Sequence, residues 1–412
     1  MGHRKTAVVT MFALYGLVAF VTTLAAPLAT VWKAQPEIAG SNALAMLGNL
    51  MNYLAYLLMG IPAGRLLHRL GCKRTAVLGC VTGGTGILVQ WLSGAAHGGF
   101  PVYLVGALTS GIALCLLNVV INPMLNTLGG GGSGGNRLNM LGGTFNSFCG
   151  ALTPFLVGAL VGTVTTRTSL RDVYPVLYIA MAVFFVAAVV LSFLPLPSTI
   201  QTAKAPQPSR ASRHPLSYPH CRWGVLGIFL FMGTSIGIAG TLNLWLVSLG
   251  YSATTGGFFF GAYVMLMLIG RLTFGSFAHR ITVRALLASM SVLALVLIVL
   301  GLCLTDVCVS MPVFTGASVV RESVPLTAPL LVFCGLCTSV MWSSIFALSV
   351  EGLGDATADA SGWFMTMVVG GGLIPLFQNF IADKAGFPVS YAVPAFVFAY
   401  LILYSLKLSK IK

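Results

Sequence analysis

Long apolar stretches separated by short polar connections run along the whole 412-residue chain. Twelve of them are close to or above the roughly 20 residues that a helix needs to cross a bilayer. Because lipid offers no hydrogen-bond partner to free backbone groups, each stretch is predicted to be a helix. The predicted spans are residues 7–32, 43–66, 76–94, 102–128, 138–164, 174–194, 224–249, 255–277, 284–304, 328–350, 360–382 and 389–406.

The composition agrees with a membrane protein. The chain is 57% hydrophobic and 7% charged, whereas soluble domains carry about 25% charged residues. Such a chain is neither an ordinary soluble enzyme nor a disordered protein, which would need low hydrophobicity. The fold class predicted is therefore an all-α membrane protein with twelve transmembrane helices.

The basic residues predict the orientation of the spans. If the N-terminus is cytoplasmic, seventeen of the 22 Lys and Arg residues lie on that side, namely Arg4, Lys5, Arg65, Arg69, Lys73, Arg74, Arg137, Lys204, Arg210, Arg213, Arg222, Arg271, Arg280, Arg284, Lys407, Lys410 and Lys412. The other side holds Lys33, Arg167, Arg171, Arg321 and Lys384. This bias predicts that both termini are cytoplasmic. The net charge of +14 is thus a topology signal, and nucleic acid is not an expected partner.

A central linker and an internal repeat predict two bundles of six helices. Residues 196–222 are rich in Pro, Ser and basic side chains, a composition typical of linkers. They divide the chain into an N-terminal bundle at 1–195 and a C-terminal bundle at 223–412. A pattern after the second span recurs 211 residues later, after the eighth: Gly64, His68, Arg69 and Lys73 match Gly275, His279, Arg280 and Arg284. Such duplications are common in transporters that bind substrate near the midplane.

Motifs of enzymes and cofactor sites are absent from the sequence. Cys334 and Cys337 form a CxxC pattern inside an apolar run, which we interpret as packing rather than as a metal or redox site. The glycine-rich run at 129–135 lacks the Lys and Ser/Thr of a phosphate loop and is predicted to be a flexible connection. We therefore expect no enzymatic activity, no metal and no cofactor, apart from a coupling Na⁺ or H⁺.

All acidic residues fall at predicted helix ends or in connections. They are Glu37, Asp172, Asp306, Glu322, Glu351, Asp355, Asp359 and Asp383. An acid inside a span is by default a candidate for a proton relay or an ion site. The sequence predicts no such group near the midplane, which argues against proton coupling.

Uncharged polar residues and tryptophans lie inside the spans instead. The predicted substrate-binding residues are Asn49, Asn118, Asn122, Asn146, Asn243, Trp245, Trp342 and Gln378. Side-chain amides both donate and accept hydrogen bonds, as sugar hydroxyls require, and tryptophan can stack on the apolar face of a pyranose. For each amide the alternative is a hydrogen bond between helices. The run at 370–372 permits either close helix packing or a helix break beside a cavity.

An ordered set of motifs resembles the fucose–galactose–glucose/proton symporter family of the major facilitator superfamily. The set is Asn122-Pro123, Arg137-Leu138-Asn139, Thr144-Phe145-Asn146-Ser147, Pro154, Gly270-Arg271, Trp342-Ser-Ser-Ile-Phe346, Gly352-Leu-Gly354, Ser361 and Gly370-Gly-Gly372. The resemblance spans both halves. It implies the major facilitator fold, two pseudo-symmetric six-helix bundles, and sugar uptake across a bacterial inner membrane.

The departures from that family concern its acidic positions. Thr23 stands where fucose-transporting members carry an acid in the first helix, and Asn118 stands where they carry a Glu. Ser235 aligns with a Glu found early in the seventh helix of many members. Each change removes a charge that the family uses for coupling or recognition.

These observations predict a monomeric multi-pass transporter in the bacterial inner membrane. Its substrate would be a hexose or a similar neutral sugar, with facilitated or sodium-linked transport favoured over proton-linked transport. The residues Gly64, Arg69, Lys73, Arg280 and Arg284 are predicted to form a cytoplasmic gate. A carrier of a non-sugar solute and a non-transporting sugar sensor are the alternatives.

Overall fold

The structure is a computed structural model that describes residues 2–33, 35, 47–95, 99–161, 170–194, 214–277, 280–314 and 319–411. The chain forms two compact units. Unit 1 comprises Met1–Gly130, Gly142–Arg213 and Leu353–Met367, and unit 2 comprises Gly131–Leu141, His214–Gly352 and Val368–Lys412. Each unit therefore includes a short segment from the other half of the sequence. Most of the predicted linker, residues 196–213, lies outside the described residues.

Five long helices make up the described part of the N-terminal half. They are α1 (Gly2–Lys33), α2 (Leu47–Ala95), α3 (Gly99–Leu128), α4 (Gly132–Val161) and α5 (Tyr174–Phe193), the last preceded by a 3-10 turn at Leu170–Val173. Helix α2 contains the second and third predicted spans, which meet at Gly71, where φ is +74°. The backbone of Gly71 is not helical, with ψ at 172°, so the chain kinks there between the two spans in a conformation that glycine tolerates.

The C-terminal half contains the remaining helices. They are α6 (Pro219–Ser248), α7 (Ala253–Phe277), α8 (Val283–Cys303), α9 (Thr327–Thr338), α10 (Met341–Ser349), α11 (Thr357–Met367), α12 (Gly370–Ala385), α13 (Phe387–Ser390) and α14 (Ala392–Leu403). A π-helical turn at Tyr404–Leu408 follows α14, and short 3-10 turns lie at Pro215–Ser217 and Gly354–Ala356.

The prediction of an all-helical membrane fold is confirmed. Within the described part of the chain, ten helical stretches are long and apolar enough to cross a membrane, and one of them holds two predicted spans. A two-residue turn separates α9 from α10 within the tenth predicted span, and another separates α11 from α12 within the eleventh. Ser339, Val340 and Val369 in these turns keep right-handed helical backbone angles. The second turn directly precedes the glycine run at 370–372, for which the sequence permitted either close helix packing or a helix break. A Cβ on Gly370 would overlap the backbone of Phe229 on α6, so this glycine permits close helix packing.

A β-hairpin replaces part of the predicted connection between the ninth and tenth spans. Strands β1 (Cys308–Phe314) and β2 (Val319–Pro325) pair antiparallel, with Met311 opposite Glu322. An isolated two-stranded hairpin is marginally stable in water, and here two contacts hold it to α7 and the turn before it. They are Tyr251 Oη donating to Ser323 O at 2.7 Å and Thr255 Oγ1 donating to Glu322 Oε2 at 2.9 Å. Partial burial raises the pKa of the Tyr251 phenol, so it remains a donor.

The prediction of a flexible loop at 129–135 is wrong for its second half. Gly130, Gly131 and Gly132 have positive φ and form a tight turn, but helix α4 begins at Gly132. The hydroxyl of Ser133 donates to Ile281 O at 3.1 Å. This tertiary contact in unit 2 holds the glycine-rich start of α4 in a helix despite its low propensity.

Candidate substrate-binding site

Two asparagines on α3 form the centre of a polar network in unit 1. Asn118 and Asn122 are four residues apart and share one face of the helix. The Nδ2 atom of Asn118 donates to Tyr56 Oη on α2 at 2.8 Å and to Leu114 O at 3.0 Å. Asn122 Nδ2 donates to Asn118 O at 2.9 Å. The network therefore links α2 to α3 through side chains rather than through apolar packing alone.

Tyr15 extends the network to α1 and α4. Its hydroxyl donates to Asn122 Oδ1 at 2.5 Å, and its backbone carbonyl accepts from Asn146 Nδ2 at 2.8 Å. Asn122 is fully buried and Tyr15 nearly so. A backbone carbonyl in a helix that accepts a side-chain amide fixes that amide relative to the helix. The four helices α1 to α4 thus meet at one group of neutral polar side chains, which we call the amide–tyrosine network (Tyr15, Tyr56, Asn118, Asn122 and Asn146).

The network leaves acceptor oxygens available. Asn118 and Asn146 are both half-buried, and among the described residues nothing donates to the Oδ1 atom of either one. The network contains amides, phenols and backbone carbonyls but no ionised group. It can accept hydrogen bonds from the hydroxyls of a neutral ligand, and it does so without the desolvation cost of a buried charge.

Thr23, Asn118 and Ser235, the three positions that lack the acid of the resembling family, each form local hydrogen bonds. The Thr23 hydroxyl donates to Ala19 O at 2.9 Å, and it lies 3.3 Å from where a Cβ on Gly150 would be. Asn118 belongs to the network described above. Ser235 is half-buried and its side chain contacts the Tyr263 hydroxyl, which also bonds Thr338 Oγ1 at 2.9 Å. All three sites are occupied by neutral groups that hydrogen-bond locally.

The predicted residues of the C-terminal half lie in different surroundings within unit 2. Trp245 is buried on α6, with Phe387 stacked at 6.4 Å and Tyr391 at 5.9 Å between ring centroids. These aromatic neighbours favour packing rather than sugar stacking for Trp245. Asn243 Oδ1 is buried against Gly256 and accepts no hydrogen bond from a described residue.

Trp342 and Gln378 each follow one of the two-residue turns inside a predicted span. Trp342 is half-buried in the first turn of α10. Gln378 is fully buried in α12, two turns after that helix begins, and neither its Oε1 nor its Nε2 has a partner among the described residues. Asn49 lies in the first turn of α2, and its side chain is outside the described set.

Helices α2 and α11 cross in unit 1 at glycines. A Cβ on Gly64 would lie 2.9 Å from both Ala358 O and Gly362 Cα. One turn earlier, a Cβ on Gly60 would overlap the backbone of Thr366. The crossing therefore depends on bare backbone at these glycines, as in the small-residue interfaces of membrane helices. It joins α2 from the N-terminal half to a helix from the C-terminal half.

The basic residues of the predicted gate differ in their contacts. Arg284 forms the one ion pair found among the described residues, with its Nη2 3.2 Å from Glu351 Oε2. It also donates to Ser409 Oγ and Ser409 O, each at 3.3 Å. The guanidinium of Arg280 lies over the ring of Phe277 at 5.9 Å. Arg69 is exposed and Lys73 half-buried, and neither forms an ion pair within the described part of the chain.

Sequence reasoning missed the two tyrosines of the network. Tyr15 and Tyr56 lie in apolar runs, where an aromatic residue is usually interpreted as a packing residue. Their hydroxyls meet side chains 107 and 62 residues away, and a single sequence carries no signal for such distant pairs. The described residues contain no group of three or more His, Cys, Asp or Glu side chains that could hold a metal ion.

Comparison with known proteins identifies relatives along most of the chain. The profile of the Major Facilitator Superfamily matches residues 7–374. The chain is 25% identical over 364 residues to the glucose/galactose transporter of Brucella abortus (strain 2308), covering 86% of this chain and 83% of that protein. It is 27% identical over 371 residues to the putative glucose/galactose transporter of Helicobacter pylori (strain J99), covering 86% and 85%.

A fucose symporter is named both in a sequence match and in a structural match. The L-fucose-proton symporter of Escherichia coli (strain K12) is 27% identical over 381 residues, covering 86% of this chain and 82% of that protein. The crystal structure of the E. coli fucose:proton symporter FucP superposes with a TM-score of 0.81 at 21% identity, covering all of both chains. A bacterial homologue of the iron transporter ferroportin, in its outward-facing state, superposes with a TM-score of 0.73 at 12% identity, covering 98% of this chain and 99% of that one. These structural likenesses establish the fold.

Proposed function

Because the chain belongs to the major facilitator superfamily, we propose that it is a secondary transporter of a hexose or similar neutral sugar. It would act by alternating access in a bacterial inner membrane, as a monomer with both termini cytoplasmic. The amide–tyrosine network carries the proposal, because it offers neutral acceptors at a point where four membrane helices meet. The relatives named as glucose/galactose and fucose transporters support a monosaccharide as the substrate class.

Asn118 and Asn146 are the proposed sugar contacts of the N-terminal half. Each already uses its Nδ2 to fix its own position, so the remaining Oδ1 is held in place before a substrate arrives. A preorganised acceptor loses little entropy when it binds a hydroxyl. Asn122 is fully buried and donates to the chain of α3, which supports a positioning role for it rather than a direct contact.

The proposed coupling is facilitated or sodium-linked transport rather than proton symport. The positions Thr23, Asn118 and Ser235 are neutral and hydrogen-bonded to nearby groups. Uncharged groups of this kind cannot release a proton at physiological pH. The distribution of the acids in the sequence supports the same conclusion, since none of the eight lies inside a predicted span.

Counterflow in proteoliposomes tests the proposal. A panel of labelled sugars, including D-glucose, D-galactose and L-fucose, is offered to protein reconstituted with each unlabelled sugar inside. The measurement is repeated after the pH gradient and then the sodium gradient is collapsed. We expect saturable exchange of at least one sugar that survives collapse of the pH gradient. Sugar-induced alkalinisation would contradict the coupling, and the absence of exchange for every sugar would contradict the function.

Point variants test the assignment of the site. Asn118→Ala and Asn146→Ala should abolish exchange while the protein still reaches the membrane. Asn126→Ala is the matched control, because Asn126 is buried two turns further along the same helix and its Oδ1 accepts no hydrogen bond from the described residues. This control should exchange sugar normally. Normal exchange by both test variants would refute the assignment.

A further inference from the structure

The side chain of Gln378 is buried in unit 2 without hydrogen-bond partners. It has no exposed surface, and both Oε1 and Nε2 lack a partner among the described residues. Buried amides are almost always hydrogen-bonded, because an unpaired buried polar group is costly. An amide that is unpaired at both atoms therefore points to a ligand that is absent from the structure.

Helix α6 covers this amide with bare backbone. A Cβ on Gly237 would overlap Gln378 Oε1, and a Cβ on Gly233, one turn earlier, would overlap Ile374. The two helices run in the same direction at this seam, since Gly233 faces Ile374 and Gly237 faces Gln378. No side chain of α6 at these two positions interlocks with α12, so α6 can slide or tilt against α12 without side-chain rearrangement there.

A second unpaired group borders the same glycine. Thr234 lies three residues before Gly237, which makes the two positions neighbours on the surface of α6. Its hydroxyl is buried and has no partner in the described part of the chain. Other helical threonines donate to the carbonyl one turn earlier, for example Thr22 to Val18 O and Thr109 to Val105 O, both at 2.8 Å. Thr234 does not satisfy its hydroxyl in this way.

The chemistry of the pair selects the ligand. The Gln378 amide offers one acceptor and a donor, and the Thr234 hydroxyl can do both. A hydroxyl group donates and accepts in the same manner and so matches both side chains. A carboxylate can only accept and an ammonium can only donate, so each would leave part of this set unpaired. The matching class is an uncharged hydroxylated molecule.

We propose that Thr234 and Gln378 form a hydroxyl-binding subsite that α6 covers in this structure and uncovers when it moves on α12. This inference rests on the proposed function, because a sugar would supply the hydroxyl. At Gly233 and Gly237 only the backbone of α6 covers the subsite. The subsite becomes available only in the conformation in which α6 and α12 separate. Sugar binding would then favour that conformation.

The first test compares the melting temperature and the sugar affinity of purified protein in nanodiscs. Gln378→Met keeps the volume similar and removes the unpaired atoms. We expect an unchanged or higher melting temperature, because replacing an unpaired polar group by an apolar one is neutral or stabilising. The affinity for the sugar exchanged best by the wild type should fall about tenfold or more, as expected for one or two lost hydrogen bonds.

Gln90→Met is the matched control for this comparison. Gln90 is also a buried amide in a helix, but its Nε2 donates to Ser110 Oγ at 2.8 Å. The control should melt at a lower temperature and bind sugar as the wild type does. If Gln378→Met instead melts lower and binds sugar normally, the amide holds a structural water and the proposal is refuted.

Deoxy sugars provide the second test. Wild-type protein should bind one deoxy analogue of the transported sugar more weakly than the parent. In Gln378→Met and Thr234→Val, that analogue and the parent should bind equally, because the partner of the missing hydroxyl is gone. Undiminished discrimination in both variants would overturn the subsite. If the wild type binds no sugar, the proposed function fails, and the melting comparison still decides whether Gln378 is an unpaired or a structurally satisfied group.

Discussion

A single methyl group added at the crossing of α2 and α11 should destabilise the protein relative to the same substitution at an open helical position. In Gly64→Ala the new Cβ would lie 2.9 Å from Ala358 O, 2.9 Å from Gly362 Cα and 3.0 Å from Gly362 N. Ordinary carbon contacts lie at about 3.5–4.0 Å. All three neighbours are backbone atoms, so no side-chain rotation can relieve the overlap. Helix α11 must move away from α2 by roughly half an ångström or more.

The size of the effect follows from two opposing contributions. Overpacking of a tight interface costs about 1–3 kcal/mol. Replacing glycine by alanine inside a helix contributes about 0.5–1 kcal/mol of stability. Gly240→Ala in α6 should show the helix-propensity gain alone, because no heavy atom lies within 4 Å of a Cβ there. Comparison with Gly64→Ala therefore isolates the cost of overpacking. Both variants gain the same helical propensity, so the difference in their unfolding free energies should be about 1–3 kcal/mol.

The assay is thermal unfolding of both purified variants beside the wild type in the same nanodiscs. Gly64→Ala should melt below the wild type or close to it, whereas Gly240→Ala should melt at or above the wild-type temperature. Gly64→Leu extends the series and should lower the melting temperature further. Equal melting of the two alanine variants would show that α11 does not rest on the bare backbone of Gly64, and the reasoning from the crossing would fail.

Three other changes have defined outcomes. Tyr15→Phe leaves the buried Asn122 Oδ1 without this donor and should cost about 1–3 kcal/mol of stability by thermal unfolding; unaltered melting would contradict the network. Glu351→Gln should cost under about 1 kcal/mol, because its pair with Arg284 is about two-fifths exposed, and a loss that persists unchanged in high salt would contradict an ionic role. Trp245→Ala should lower the unfolding free energy by about 3–5 kcal/mol, measured by thermal unfolding, while Trp245→Phe should keep sugar exchange. Loss of exchange in the phenylalanine variant at wild-type stability would favour a substrate contact instead.

The spans were predictable because the bilayer imposes a length and a polarity on every crossing segment. Helices α3 and α8 begin and end within a few residues of the predicted ranges 102–128 and 284–304. The hairpin was not predicted, since strands of seven residues in a polar connection give a weak periodic signal. Its strands are held in part by contacts with Tyr251 and Thr255, which no local pattern reveals.

The candidate site was predictable in part. A spacing of four placed Asn118 and Asn122 on one face of α3, and the rarity of amides in apolar spans singled them out. The sequence could not indicate which neighbouring helices that face contacts, so it did not predict the roles of Tyr15 and Tyr56. The same limit affected the C-terminal half, because the sequence did not indicate that Phe387 and Tyr391 pack against Trp245. It also did not indicate that the buried Thr234 hydroxyl has no partner among the described residues.

Residues 353–367 belong to unit 1 although they lie in the C-terminal half of the sequence. A gene cut between the two halves would therefore divide both units. If the two sequence halves were expressed as separate polypeptides, the N-terminal fragment would lack α11 and expose the bare backbone at Gly60 and Gly64 to lipid. The C-terminal fragment would in turn lack the start of α4, which donates to Ile281 and Ser344 in unit 2. Each fragment therefore carries a surface that the other completes, and co-expressed halves should be recovered as a complex while either half alone is degraded.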